Sequence, residues 1–72
     1  MPTHRHVMPN GETFRNNSQR RYVVAAWRPG IQKWTAEYRT DVESRAVAQW
    51  RHEARICELA ALVDNQTGEV IR

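Results

Sequence analysis

Side chains that could open acid–base, nucleophilic or metal chemistry in this sequence include His4, His6, His52, Ser44, Glu53 and the single cysteine, Cys57. A zinc site needs paired His or Cys ligands at short spacing, repeated further along the chain. His4-x-His6 would set two imidazoles on one side of a strand, but no second pair follows, and a basic arm accounts for them equally well. His52 and Cys57 are five positions apart, about 140° around a helix, and so do not face one another. Catalysis requires a nucleophile or acid with an oriented partner, and neither Ser44, Cys57 nor the histidines stand in such a constellation. Gly11, Gly30 and Gly68 each stand alone in turn sequences and form no phosphate loop. The expectation is a non-enzymatic protein without cofactor or metal, in which Cys57 serves as a small buried hydrophobe.

The remaining chemistry is recognition by cations. Lys and Arg number 11 against 8 Asp and Glu, for a net charge of +3, and only Lys33 is a lysine. Arginine pairs bidentately with carboxylates and phosphates, although a GC-rich genome would also favour its codons, so the ratio alone decides nothing. Three groupings stand out. On a helix over residues 41–60, Arg45, Arg51, His52 and Arg55 share an arc of about 120° with Ser44 and Ala48, a face with no acid in it. Trp27, Arg28 and Lys33 surround the Pro29-Gly30 turn, an aromatic-plus-cation mixture typical of interface hot spots, while Trp27 could instead pack on the sheet. Arg5, Arg15, Arg20 and Arg21 lie in a polar amino-terminal arm.

Positioning these groups requires a small scaffold, since a chain of 72 residues buries one modest core. Asn10-Gly11 favours a type I′ turn, so residues 5–8 and 12–15 can form a short ribbon. Residues 21–27 are rich in β-formers, and a turn at Arg28-Pro29-Gly30 leads to a return strand in which Trp34, Ala36 and Tyr38 alternate with polar residues. That pattern places all three on one buried face. Thr40 followed by Glu43 reads as a capping box for the helix, whose stripe of Val42, Ala46, Val47, Trp50, Ala54, Cys57 and Ala61 would face the sheet. The turn cluster at residues 64–68 and the β-like residues 69–71 predict a closing strand or hairpin. The expected fold is α+β: a small antiparallel sheet in the order ββαβ on one amphipathic helix, with an N-terminal ribbon and a C-terminal hairpin as additions. Residues 1–19 form the arm and residues 20–72 the compact domain.

The run from Lys33 to Thr40, followed by the Trp50 helix, resembles the AP2-like arm-binding domains of phage integrases, which implies a small sheet preceding one helix. It covers under half the chain. The spacing from Thr40 to Trp50 is longer than that family's pattern, so no functional residue is carried over. In size and character the chain is similar to the accessory proteins of phages and plasmids. The longest apolar runs, residues 22–27 and 59–63, are far short of the ~20 residues a membrane helix needs. The N-terminus has no apolar signal region and a lone cysteine suits a reducing compartment, so a cytoplasmic location is expected. The favoured function is a protein-binding inhibitor or adaptor that sets the arginine helix face and the hairpin tip against an acidic partner. The alternative is a small nucleic-acid binder using the arm arginines, for which +3 is weak unless a homodimer doubles the footprint.

Overall fold

The computed structural model describes residues 3–72. The elements run β1 (His4–Val7), β2 (Thr13–Asn16), β3 (Tyr22–Arg28), β4 (Lys33–Thr40), α1 (Glu43–Ile56) and β5 (Ala60–Asp64). β1 and β2 form an antiparallel ribbon, and β4, β3 and β5 form an antiparallel sheet in that order. The expected α+β fold is therefore present, with the sheet's third strand arriving only after the helix.

β3 shows why the architecture has three layers. Val23, Val24, Ala25 and Ala26 are all 0% exposed, so the strand is buried on both faces and reads as a continuous apolar run. Tyr22 and Val24 pack with Ala46 of α1 and Leu62 of β5, and Tyr38, Val47 and Trp50 border that cluster. Val23 and Ala25 point the other way, into a cluster with Met8, Phe14, Trp34, Ala61 and Val63. The helix covers one face of the sheet and the ribbon covers the other. Met8 and Phe14, from the otherwise polar arm, thus supply core.

Three local readings are corrected. β4 carries a bulge: Val24 pairs with Tyr38 but Ala25 pairs with Ala36, leaving Glu37 extra. Side-chain alternation is reset there, so Trp34 and Ala36 join the ribbon side while Tyr38 turns to the helix side. The capping box does not form: Thr40 Oγ1 accepts the Val42 amide at 3.1 Å, and Glu43 instead accepts the Tyr22 hydroxyl at 3.3 Å. The helix also stops at Ile56 rather than near residue 60. Cys57 is already extended, and Ala61, expected in the helix stripe, lies in β5 opposite Ala25. Strand pairing wins because the apolar run at Ala61, Leu62 and Val63 is wholly buried there. Ala54, expected in the same stripe, is exposed, and Glu53 is the buried residue of that turn.

The C-terminal hairpin is reduced to one bridge, Val63 to Val70, flanked by the Asp64 amide donating to Glu69 O at 2.8 Å and the Ile71 amide to Leu62 O at 2.7 Å. Its turn is organised by Asp64. That carboxylate takes a forked pair of bonds from Arg21, at 3.1 Å from Nε and 2.9 Å from Nη2, and accepts the Gln66 amide at 2.9 Å. Asn65 in turn donates to Asn16 Oδ1 at 2.8 Å, tying the ribbon to the turn. His6, buried against Phe14, meets Asn65 Oδ1 at 2.9 Å and Gly68 O at 3.2 Å.

Phe14→Ala should lower unfolding free energy by about 3–5 kcal/mol in a urea titration, because the ring fills the ribbon-side core. A loss below about 1 kcal/mol would mean that the ribbon is not part of the cooperative unit. The acid limb carries a second prediction. The Arg21 guanidinium holds the Asp64 carboxyl below the usual carboxylate range, aided by the Gln66 and Thr67 amides and opposed by burial. A depressed folded value stabilises above the unfolded pKa of about 3.9, and that contribution is lost as pH falls through the folded value. Stability measured against pH should therefore drop below about pH 4, and Asp64→Asn should flatten that drop while lowering stability at pH 7.

Candidate binding surfaces

The fold sorts the cations by whether a carboxylate reaches them. Arg20 Nη1 lies 2.8 Å from Asp41 Oδ2, and Asp41 Oδ1 accepts the Arg21 amide at 2.8 Å. Those contacts hold the Asp41 carboxyl below its ordinary range, Arg20 having the larger effect. Arg21 is committed to Asp64 and lies over the Tyr22 ring, 5.0 Å from its centroid. Arg28 is ion-paired with Glu37, the bulge residue, and its Nε donates to Thr35 Oγ1 at 3.4 Å. Two of the four arm arginines and the arginine of the hairpin tip are thus engaged in holding strands together.

The helix face is different. Arg45, Arg51, His52 and Arg55 are all exposed, and none has an ion-pair partner among the described residues. The neighbours of Arg51 one turn away are Val47, Ala48, Ala54 and Arg55, so no acid on the helix can reach it. Like charges at Arg51 and Arg55, four apart, repel by a few tenths of a kcal/mol in an isolated helix. The face is held on a 14-residue helix whose other side is anchored by Ala46 and by the Trp50 indole, which donates to Ala60 O at 3.1 Å. Arg72 lies over the Trp50 ring at 5.7 Å.

The hairpin-tip grouping of Trp27, Arg28 and Lys33 does not hold together as one surface. Trp27 is half-buried on the ribbon side, its ring centroid 5.8 Å from that of Trp34 with the planes tilted by 58°. The loop after it is longer than one tight turn: Ile31 bonds back to Arg28 O at 3.2 Å and Gln32 to Pro29 O at 3.3 Å. Gln32, not Gly30, takes the positive φ of 53°. Lys33 remains exposed and, with Trp27, lines a hollow of about 640 Å3 between hairpin and ribbon that also includes Arg15 and Glu12. Arg15 pairs directly with Arg5 across the ribbon, both exposed. Trp27, Arg15 and Arg5 therefore belong to the ribbon side, opposite the helix face, while Lys33, directly opposite Arg28 in the strand register and next to ribbon-facing Trp34, starts from the other face of the hairpin and borders the hollow at its end.

Glu53 escaped the sequence reading as a buried residue. It accepts from Gln49 Nε2 at 3.0 Å and from Cys57 Sγ at 3.5 Å, one helical turn away in each direction. The i, i+4 spacing of Gln49, Glu53 and Cys57 was the available signal. Burial pushes the Cys57 thiol up, and the bond to Glu53 and its charge push it further. Among the described residues no group of three or more His, Cys, Asp and Glu is arranged to hold a metal, and no helix is long and apolar enough to cross a membrane. No family model, curated protein or solved structure matches the chain, so the likeness to integrase arm-binding domains stays one of sequence pattern.

Cys57 should react with a thiol reagent at pH 7.5 more slowly than free cysteine, because a raised pKa leaves less thiolate. Glu53→Gln should speed the reaction; an unchanged rate would remove Glu53 as a cause.

Proposed function

We propose that this chain is a non-enzymatic protein-binding module, an inhibitor or adaptor of the kind phages and plasmids encode, working in the cytoplasm. Its docking surface is the outer face of α1, and its partner presents carboxylates there. The observation carrying this reading is that Arg45, Arg51 and Arg55 stand exposed and unpaired on one rigid helix, while Arg20, Arg21 and Arg28 each have a carboxylate. A partner's carboxylates would relieve the repulsion between Arg51 and Arg55, and the small Ser44 and Ala48, which precede Arg51 on the same face, allow close approach. Arginine is enriched and lysine depleted at such interfaces. Arg28, being paired, is assigned to the scaffold in this reading.

Paired affinity capture from the cells that make the protein tests this, with wild type, Arg51→Glu and Arg5→Glu as baits after nuclease treatment. A specific protein should be retained by wild type and Arg5→Glu and lost by Arg51→Glu. Capture that survives Arg51→Glu, or that vanishes with nuclease, would contradict the assignment.

A further inference from the structure

We infer that the hollow between the ribbon and the β3–β4 hairpin binds single-stranded nucleic acid, one base stacking on Trp27 and the flanking phosphates meeting Arg15, Lys33 and Arg5. This site lies across the sheet from the helix face and does not depend on the protein-binding reading.

Several observations converge there. The indole of Trp27 is only half-buried and lines the hollow, whereas Trp34, its cross-strand partner, is buried and has its N–H committed to Asn10 Oδ1 at 3.0 Å. Trp34 and Phe14 thereby form a fixed floor on which Trp27 is held at a set tilt. Two cations border the hollow, Arg15 from the outer face of the ribbon and Lys33 from the end of the hairpin, and neither has a carboxylate partner among the described residues. Arg5 sits directly opposite Arg15 in the ribbon register. Like charges facing each other across an antiparallel pair are destabilising, and a phosphate between them removes that penalty. The hollow, about 640 Å3, falls within the usual range of ligand sites. One acid, Glu12, also lines it and works against an anion.

The combination selects the ligand class. Sequence-tolerant single-strand binding joins a cationic track to aromatic side chains on which bases stack. A duplex keeps its bases stacked on one another and would reach the cations without the indole. An acidic peptide would likewise pair with the cations and leave Trp27 unused.

Fluorescence anisotropy with end-labelled single-stranded RNA and DNA of about ten nucleotides, a matching duplex and a Glu-rich peptide tests the inference, at about 50 and 200 mM salt. Single strands of either sugar should bind more tightly than the duplex and the peptide. Trp27→Leu keeps an apolar side chain but offers no ring, and should weaken binding by roughly 5- to 150-fold, with Trp27→Phe recovering much of it. Arg15→Ala and Lys33→Ala, at exposed positions that leave folding intact, should each lower the salt slope by about 0.7, and Glu12→Gln should tighten binding. The inference is overturned by no single-strand binding at the lower salt, by duplex or peptide binding as tight as single strands, or by unaltered affinity in a folded Trp27→Leu. Loss of binding in Arg51→Glu equal to that in Arg15→Ala would also overturn it. Should Trp27→Leu not fold, an unchanged salt slope in Arg15→Ala and Lys33→Ala decides against it.

Discussion

Tyr22, Val23, Val24, Ala25 and Ala26 send side chains to both faces of the central strand, and all five are buried. Removing apolar surface from water is worth about 25 cal/mol per Å2, so leaving either face wet would forfeit a large part of what so short a chain can gain. One amphipathic helix can cover only one face. The second must be closed by something else, and the chain uses a ribbon of two four-residue strands carrying Phe14, with Met8 just beyond its first strand. The isolated ribbon would be marginal, and it persists because its inner side chains complete the core.

Placing the sheet in the middle determines where charge can be displayed. Arg20 reaches Asp41, Arg21 reaches Asp64 and Arg28 reaches Glu37, which gives three arginines a carboxylate within the chain while their side chains stay 41–64% exposed. What remains is Arg45, Arg51 and Arg55 on the helix, Arg5 and Arg15 on the ribbon with Lys33 near them, Arg39 on β4, and Arg72 over the Trp50 ring. The helix and ribbon groups lie on opposite sides of the central sheet. The two proposed faces differ in chemistry, one presenting arginines along a helix and the other cations near an indole.

Much of this was legible from residue patterns with local causes. Asn10-Gly11 marked the ribbon, although the turn formed runs from Met8 to Gly11 with only Gly11 at positive φ instead of the expected type I′ turn; the β-forming run and Pro29 marked the hairpin, and the 100° periodicity put Arg45, Arg51 and Arg55 on one helix face. What stayed hidden depends on contacts distant in sequence. Nothing near Glu37 announces a bulge; it is set in the pairing of β4 with β3, and it turns Tyr38 to the face opposite Trp34. The helix end was misread because Cys57 and Ala61 satisfy helical spacing, whereas β5 pairing with β3 is decided by burial that no local window contains. The pairings of Arg20 and Arg21 join residues 21 and 43 positions apart, so these cations read as free until the fold is known. The regrouping of Trp27 and Lys33 with Arg15 has the same origin.

Both proposed binding faces rest on β3 being covered by helix on one side and ribbon on the other, and proton–proton nuclear Overhauser contacts in solution test that arrangement most directly. The Phe14 ring should show cross-peaks to the methyl groups of Val23 and Ala25, while Ala46 shows them to Val24 and Leu62. Cross-peaks from Phe14 to Ala46 or Val47, or unfolded-chain shifts throughout β1 and β2, would contradict it.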